Sequence, residues 1–331
     1  MKRKVAIVLF QLGGPDTTKS VEPFLYNLFC DPDIIDFPLA FIARKALAKF
    51  ISTRRSKNVI EHYREIGGGS PIRFLTEQQG RALEEALAPW IEAKTFVAMR
   101  YWHPLTSEAV SSLDRATYDQ LILLPLYPHY SYATTRSSLR EWNRQARNGL
   151  ASTGKLIESF YNHPLYIESL CARINERLAQ LRSPENVYLL FSAHGLPMKL
   201  VSAGDPYPRH IQETMRLVVE RGGWPNRRLL CYQSRVGPQK WLEPSLKYTI
   251  ERLAREGVKR ILVIPISFVT DHIETLHEIN IEAREEAEKL GVEEFSMMGA
   301  LNDSPIFIRA LADLVLKATG FADGVATPQN S

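Results

Sequence analysis

Gln120–Pro128 reads QLILLPLYP and Arg260–Phe268 reads RILVIPISF, and these two stretches of the 331-residue chain decide its fold. Each stretch is a continuous apolar run, which is typical of a strand buried on both faces of a parallel sheet. Pro125 and Pro265 occupy the same position in the two runs. The similarity indicates that the chain contains one structural unit twice.

The repeat extends on both sides of these runs. Upstream, VAIVLFQLGGP at Val5–Pro15 resembles VYLLFSAHGLP at Val187–Pro197. Downstream, NHPLYI at Asn162–Ile167 resembles NDSPIFI at Asn302–Ile308. Helical patterns separate the apolar runs in both halves, and strands that alternate with helices are the signature of an α/β fold. We therefore predict two similar Rossmann-like domains, each a parallel β-sheet flanked by helices.

The boundaries of the two domains follow from the repeat. We predict a first domain over residues 1–160 and a second over residues 161–320, with a flexible tail at 321–331. The C-terminal helix is expected either in the second domain or packed across both. The first domain also contains an insertion at about residues 30–70, between its first and second strands.

The inserted segment combines an apolar stretch, Ile34–Ala43, with basic residues between Arg44 and Lys57. Such a pattern suits a lip that contacts a membrane surface or an apolar acidic ligand. It equally suits a helix that packs on the core and turns a basic face to solvent. The sequence leaves both interpretations open.

Composition excludes several classes of protein. The 41 basic and 37 acidic side chains give a net charge of +4, which argues against nucleic acid as the main partner. Cys30, Cys171 and Cys231 form no CxxC pair, so we predict neither a disulfide framework nor a structural zinc site. No run approaches the ~20 apolar residues that span a bilayer, and the apolar start lacks a signal-peptide cleavage site. We expect a cytoplasmic protein.

Polar residues collect where two strands of the second half end. His194 ends the first of these strands, and Asp271, His272 and Glu274 follow the third. In doubly wound sheets, ligands bind beyond the carboxyl ends of the strands. Imidazole and carboxylate groups suit an openly bound divalent metal such as Fe²⁺ or Zn²⁺, and they also suit proton transfer near neutral pH. A histidine that only satisfies backbone groups is the alternative for His194.

A helix is predicted over Thr270–Leu290, with Glu274, Glu278 and Glu282 one turn apart. These carboxylates form either a solvated acidic face or a row that passes cations or protons to a buried site.

Taken as a group, six motifs resemble those of the ferrochelatase family. They occur in order between Leu12 and about Leu316, and they are YREIGGGSPI (Tyr63–Ile72), RYWHP (Arg100–Pro104), SAHGLP (Ser192–Pro197), GDPYP (Gly204–Pro208), QSRVGPQKWLEP (Gln233–Pro244) and SFVTDHIETLHEI (Ser267–Ile279). The resemblance implies an enzyme that inserts Fe²⁺ into protoporphyrin IX to form protohaem. It also implies a chelatase-type fold with the active-site cleft between its two domains.

The resemblance further implies roles for single residues. His194 and Glu274 match the catalytic, iron-binding pair. The residues that match a path for metal or protons are Asp271, His272, Glu278, Glu282, Arg100 and Tyr101. The residues that match porphyrin contacts are Leu12, Arg55, Tyr63, Ser70 and Trp241. We assign His194 as the acceptor of the pyrrole protons and Glu274 to metal delivery or proton exit, with the reverse division open.

Two departures from the family pattern narrow the expected substrate and cofactors. Some members hold a [2Fe–2S] cluster through C-terminal cysteines, whereas the residues after Leu316 contain none. We therefore expect no cluster and no tightly bound cofactor, with Fe²⁺ as a substrate. Relatives that use coproporphyrin carry Tyr at the position of Leu12, which favours protoporphyrin IX.

Several alternatives stay open from sequence. They are a chelatase for coproporphyrin III, sirohydrochlorin or cobalt, and a non-catalytic two-domain protein that binds a small molecule. Peripheral contact with the cytoplasmic face of the inner membrane is a further expectation that the inserted segment raises.

Overall fold

The computed structural model describes residues 2–32, 34, 40–113, 118–146, 150–235 and 239–321, without the side chains of residues 40–42 and 150. The chain divides into two units. The first comprises Met1–Tyr127, Tyr132–Phe160 and Asn302–Ser331, and the second comprises Pro128–Ser131 and Tyr161–Leu301. The predicted tail beyond residue 321 lies outside the described residues.

The elements alternate along the chain as the sequence predicts. The strands are β1 (Lys4–Gln11), β2 (Glu92–Met99), β3 (Gln120–Pro125), β4 (Lys155–Leu156), β5 (Tyr188–His194), β6 (Arg228–Gln233), β7 (Arg260–Pro265) and β8 (Glu294–Met297). The α-helices are α1 (Val21–Phe29), α2 (Ala40–Glu65), α3 (Ile72–Leu87), α4 (Thr106–Leu113), α5 (Ser137–Gln145), α6 (Pro164–Leu178), α7 (Met198–Ser202), α8 (Tyr207–Gly222), α9 (Leu246–Arg255), α10 (Arg284–Lys289) and α11 (Pro305–Ala318).

Each unit contains one four-stranded sheet, and the two sheets have the same topology. The order is β2-β1-β3-β4 in the first unit and β6-β5-β7-β8 in the second, and all neighbouring strands are parallel. The registers also agree, because Pro125 pairs with Phe10 while Pro265 pairs with Ser192. These are the positions that the sequence repeat aligns. The predicted α/β fold with two similar parallel-sheet units is confirmed.

The central strands form the core because their residues are apolar on both faces. Val5–Phe10 of β1 and Leu189–Phe191 of β5 are fully buried. In the first unit, the Phe10 ring packs edge-on against Trp142 of α5, with ring centroids 5.4 Å apart. Because both central strands are buried, the residues that follow their carboxyl ends have defined positions.

A π-helix follows the third strand in both units. Tyr132–Arg136 precedes α5, and Glu274–Ala283 precedes α10. The helix predicted over Thr270–Leu290 is thus α-helical only from Arg284 to Lys289. The two helix types differ in their backbone hydrogen bonds, which join residue i to i+5 in a π-helix and to i+4 in an α-helix. Both give a helical pattern of apolar positions, so the sequence alone does not distinguish them. Such segments occur frequently at functional sites.

Helix α11 packs against α3 and belongs to the first unit. Two basic side chains donate to the carbonyls at its C-terminal end, Arg3 to Thr319 at 2.8 Å and Lys155 to Ala318 at 2.8 Å. Cations at a helix C-terminus are favourable because they offset the partial negative charge of the unpaired carbonyls. Contacts from Arg3 and Lys155 therefore fasten the end of α11 to the first unit.

The inserted segment contains α2, which packs along α1. Ala48, Ser52 and Ser56 recur at four-residue spacing and are buried, so a stripe of small residues faces α1. Glu22 of α1 accepts from Lys49 at 2.5 Å. Within the apolar stretch Ile34–Ala43, residues 35–39 and the side chains of residues 40–42 lie outside the described part of the chain. Among the described residues, no helix is both long and apolar enough to cross a membrane.

Candidate active site

His194 ends strand β5 after six buried residues and is itself half-buried. Its backbone N–H donates to Ser267 Oγ at 3.0 Å, and its carbonyl accepts from Tyr207 Oη at 2.9 Å. Two side chains from outside the strand thus hold both backbone polar groups of His194. The position of His194 is therefore determined by tertiary contacts as well as by the sheet.

The His194 ring has a defined tautomer. Its Nδ1 lies 2.6 Å from the carbonyl oxygen of Gly195. A carbonyl can only accept, so Nδ1 carries the proton and Nε2 of the neutral ring carries the lone pair. His194 is therefore oriented as a base through Nε2.

Trp241 packs against the backbone that follows His194. A Cβ at Gly195 would lie 3.2 Å from the Trp241 ring and 2.8 Å from the Gln233 carbonyl oxygen, so only glycine allows this approach. The Leu242 N–H donates to the Leu196 carbonyl at 3.0 Å and holds the two segments together. Within the described residues, the buried Trp241 Nε1 has no hydrogen-bond partner.

Glu274 and His272 form a close pair at the start of the π-helix. Glu274 Oε2 lies 3.0 Å from His272 Nε2, but the ring N–H direction does not fit a hydrogen bond, and Oε2 is buried with no hydrogen-bond partner among the described residues. His272 Nδ1 donates to the Thr270 carbonyl at 2.8 Å, which leaves the Nε2 lone pair facing the carboxylate when the ring is neutral. The contact is favourable only when a proton or a cation is shared between the two groups.

Glu278 follows Glu274 by four residues along the π-helix, and its carboxylate accepts two hydrogen bonds from Ser234. Its Oε1 accepts the Ser234 N–H at 2.6 Å, and its Oε2 accepts the Ser234 hydroxyl. Burial raises the pKa of Glu278; the Glu274 charge also raises this pKa, while the Ser234 hydrogen bonds and the His194 imidazole lower it. These effects place His194 and Glu274 each within electrostatic range of Glu278.

Ser234 adopts a left-handed backbone conformation, with φ of +63°. That region is unfavourable for a residue with a Cβ, and such strain concentrates at functional sites. Here the turn directs both donors of Ser234 at Glu278. Gln233, just before it, donates from Nε2 to the Glu274 carbonyl at 3.0 Å and accepts from Ser192 Oγ at 2.7 Å. The end of β6 therefore holds the π-helix in place.

The remaining acids of the second unit lie at the edge of this group. Asp271 Oδ1 accepts from Thr275 Oγ1 at 3.0 Å. The Glu282 side chain is 60% exposed and lies 3.8 Å from His277 Nδ1. The structure thus gathers His194, His272, Glu274 and Glu278, while Glu282 faces solvent. Among the described residues, no group of three or more His, Cys, Asp or Glu side chains is placed to hold a metal ion.

In the first unit, Arg100 and Tyr101 converge on Asp31, an acid that sequence reasoning missed. Asp31 is 2% exposed and accepts from Tyr101 Oη at 2.6 Å, from Ser137 Oγ at 2.5 Å and from Arg100 Nη2 at 2.9 Å. Burial raises the pKa of Tyr101, and the Asp31 charge raises it further. No signal marks Asp31 in the sequence, because a single acid after a helix is common.

Leu12 and Ser70 both lie near the carboxyl end of β1, where each is held by a backbone hydrogen bond. The Leu12 carbonyl accepts the Tyr101 N–H at 3.0 Å, and the Ser70 N–H donates to the Pro15 carbonyl at 2.7 Å. A Cβ at Gly14 would lie 2.7 Å from Ser70 Oγ, so the two segments are in tight contact. The structure therefore brings Leu12, Ser70 and Tyr101 to the same end of the first sheet.

Tyr63 and Arg55 both lie on α2 but differ in exposure. Tyr63 is buried, and its carbonyl accepts the Gly68 N–H at 2.7 Å, which closes the glycine-rich turn after α2. Arg55 is exposed, with its guanidinium 5.6 Å from the Phe29 ring centroid. Arg55 is thus a solvent-facing cation at the surface of the inserted segment.

Two parallel sheets of identical topology, with histidine and carboxylates at the strand ends of the second, define an α/β protein of the chelatase fold. SirB from Bacillus subtilis with Fe³⁺ matches with a TM-score of 0.55 and 12% identity, over 97% of this chain and 98% of that chain. DR2241 from Deinococcus radiodurans, a multi-domain protein with structural similarity to chelatases, matches with a TM-score of 0.56 and 13% identity, over 96% of this chain and 55% of that chain. At these identities the likeness shows the fold alone.

Sequence comparison then gives the family. The ferrochelatase family model matches residues 4–319. The ferrochelatase of Geotalea uraniireducens is 49% identical over 318 residues, which cover 96% of this chain and 98% of that protein. The ferrochelatase of Picosynechococcus sp. is 48% identical over 319 residues, with coverage of 94% and 82%. The chain belongs to the ferrochelatase family of metallochelatases, and the resemblance that the six motifs carry is confirmed.

Proposed function

We propose that this protein inserts Fe²⁺ into protoporphyrin IX to form protohaem, the terminal step of haem biosynthesis. One observation of the site carries the proposal. His194 is fixed as an Nε2 base at a strand end and lies within electrostatic range of Glu278, as does a second carboxylate, Glu274, whose buried oxygen lacks a hydrogen-bond partner. Membership in the ferrochelatase family supports the same reaction.

The reaction requires groups that accept protons. A free-base porphyrin carries two N–H groups, and both protons must leave as the metal enters. We propose that His194 Nε2 accepts a pyrrole proton, because the Nδ1–H bond to Gly195 keeps its lone pair available. One imidazole holds one proton, so a second group must store or pass on the other. Glu278 suits this role because burial raises its pKa.

Metal delivery is assigned to Glu274. Its unpartnered Oε2 beside His272 Nε2 presents a carboxylate and an imidazole, which are ligands that divalent iron accepts. Asp271 and Glu282 extend the acidic row on either side. Arg100 and Tyr101 are proposed for a metal path in the first unit, where both already contact Asp31. In the reverse division of roles, Glu274 would accept the pyrrole proton and His194 would bind the metal.

Porphyrin distortion is assigned to rigid walls. Metal entry requires the planar macrocycle to bend, and binding energy from its remote groups can drive that strain. Trp241 is held against Gly195 with no room for a Cβ, so it can serve as such a wall. Arg55 suits a propionate because an exposed guanidinium pairs well with a carboxylate. Leu12, Tyr63 and Ser70 are proposed as further porphyrin contacts.

We further propose that no cofactor is tightly bound, with Fe²⁺ as a substrate, and that the protein acts in the cytoplasm. The absence of cysteine after Leu316 supports the first expectation, since a cluster needs thiolate ligands. The modest net charge of +4 supports a small-molecule substrate over nucleic acid.

The test is an anaerobic assay of the purified protein with protoporphyrin IX and Fe²⁺. We expect the porphyrin absorption spectrum to convert to that of haem at catalytic protein concentrations. Parallel reactions with coproporphyrin III, with sirohydrochlorin and with Co²⁺ establish the preferred pair of substrates. If a different tetrapyrrole or metal is converted much faster, the protoporphyrin and iron assignment is wrong; if none is converted, the enzyme assignment is wrong.

A further inference from the structure

The motif Gly204–Pro208 (GDPYP) contributes to the family resemblance without a role in the proposed reaction. It leads into α8, and Asp205 and Tyr207 within it are buried. Asp205 Oδ1 accepts the Tyr207 N–H at 3.0 Å, which satisfies a donor in the first turn of α8. Asp205 Oδ2 accepts from Ser131 Oγ at 2.9 Å. Asp205 therefore connects two segments that are distant in sequence.

The segment Pro128–Ser131 belongs to the second unit, although the chain on both sides of it belongs to the first. Two contacts anchor it besides that of Ser131. His129 Nε2 lies 2.9 Å from Thr214 Oγ1 of α8, and the His129 ring lies edge-on to Tyr207 with centroids 6.0 Å apart. The 128–131 segment thus packs against both the start and the middle of α8.

Tyr207 transmits this contact to the reacting histidine. Its hydroxyl donates to the His194 carbonyl at 2.9 Å, and it also interacts with the Ser267 hydroxyl, which accepts the His194 N–H at 3.0 Å. Burial raises the pKa of Tyr207 above its ordinary value of 10.0, so the phenol stays a donor at neutral pH. The two hydroxyls thus bond the N–H and the carbonyl of His194, and the carbonyl of the next residue, Gly195, orients the His194 ring.

We propose that Tyr207 is a positioning residue for His194, and that Asp205 and Ser131 hold Tyr207 in place. The inference rests on the proposed role of His194 as the base. A shift of the His194 carbonyl would alter the Nδ1–H bond to Gly195 and with it the direction of the Nε2 lone pair. Catalysis depends steeply on such placement, whereas binding of the large porphyrin ring depends on it little.

The test compares Tyr207→Phe with a matched control, Tyr166→Phe. Tyr166 is also fully buried, lies edge-on to His129 at 6.5 Å and donates to a carbonyl, that of Ile266, at 3.1 Å. We expect kcat for haem formation to fall about ten-fold or more in Tyr207→Phe, with the Kd for protoporphyrin within about two-fold of wild type. Tyr166→Phe should keep kcat within about three-fold. Equal effects of the two variants on kcat would overturn the proposal.

A spectroscopic readout separates positioning from general loosening. In ¹⁵N-histidine-labelled protein, with the His194 signals assigned by comparison with His194→Gln, wild type should show a protonated Nδ1 and an unprotonated Nε2. Tyr207→Phe should shift these signals or mix the tautomers, and Tyr166→Phe should leave them unchanged. Unchanged His194 signals in Tyr207→Phe would contradict the proposal.

Ser131→Ala and Asp205→Asn keep the proposal testable if Tyr207→Phe fails to fold. Each removes part of the support of Tyr207 and leaves its phenol in place. We expect kcat to fall in both variants, by less than in Tyr207→Phe, with unchanged porphyrin Kd. Unchanged kcat in both would refute the proposal that Asp205 and Ser131 act through Tyr207 on His194. Wild-type turnover distinguishes the two levels: a wild-type protein without chelatase activity contradicts the proposed function, whereas an active wild type with an unaffected Tyr207→Phe contradicts only this inference.

Discussion

His129 is fully buried, and replacing it by Gln should make the stability of the protein less dependent on pH. Burial, together with the smaller effect of the neighbouring His210, lowers the pKa of His129 from 6.5 to about 3. The folded protein thus holds His129 neutral at pH values where the unfolded chain binds a proton. The Thr214 hydroxyl proton is directed at the carbonyls of Tyr161 and His210, so His129 Nε2 donates to Thr214 Oγ1. The Gln amide can make the same donation but does not titrate.

The direction and size of the effect follow from linkage. Between pH 6.5 and about pH 3 the unfolded state binds one more proton at His129 than the folded state, so this residue favours unfolding as the pH falls. One pKa unit corresponds to about 1.36 kcal/mol. At pH 5.0, about 1.5 units below the unfolded value, the free energy of unfolding should be lower by about 2 kcal/mol from His129 alone. Above pH 7.5 this contribution is absent.

Urea unfolding of the full chain, followed by fluorescence, gives the free energy of unfolding at pH 7.5 and pH 5.0. We expect the loss between these two values to be about 2 kcal/mol smaller in His129→Gln than in wild type. His103→Gln is the matched control, because His103 is half-exposed and pairs with Glu108. A wild-type loss that His129→Gln leaves unchanged would refute the reasoning about His129.

Three further substitutions test other parts of the structure. Glu278→Gln should lower kcat for haem formation by about 10²-fold or more if Glu278 handles a proton. Because burial raises the folded pKa of Glu278 above 4.5, this residue lowers the free energy of unfolding as pH rises above 4.5, and the variant should lack that contribution; the same pH dependence of urea unfolding in the two proteins would contradict this. Asp31→Asn should lower the free energy of unfolding by about 3 kcal/mol, because Arg100 would lose its charged partner in a buried setting. A change under about 0.5 kcal/mol in urea unfolding would contradict this prediction. Gly195→Ala should destabilise the protein by about 1–3 kcal/mol, because the added Cβ would meet the Gln233 carbonyl and the Trp241 ring. The displaced Trp241 ring should shift the tryptophan emission. Unchanged stability and emission would show that the contact is not tight.

Much of the fold could be predicted because its strands are strongly patterned. Continuous apolar runs such as Gln120–Pro128 and Arg260–Phe268 can be buried on both faces only in a parallel sheet covered by helices. The topological rule for ligands at strand ends then selected His194 and the Asp271–Glu274 segment. The structure gathers His194, His272, Glu274 and Glu278, because the same strand ends converge at one edge of the second sheet.

Other features depend on contacts that no local pattern encodes. The π-helix Glu274–Ala283 differs from an α-helix in bonding residue i to i+5, and no residue type in this segment marks that difference in the sequence. Asp31 is identified only by the three groups that donate to it. The 128–131 segment is identified only by its tertiary contacts with α8 and the GDPYP motif, which lie about 75 residues further along the chain.

The central claim is that His194 accepts a pyrrole proton. The most direct measurement combines two assays on His194→Ala: protoporphyrin binding by fluorescence quenching, and anaerobic haem formation with Fe²⁺. We predict porphyrin affinity close to that of wild type and no detectable haem, while His103→Ala behaves as wild type in both assays. Haem formation by His194→Ala at a rate near that of wild type would contradict the account.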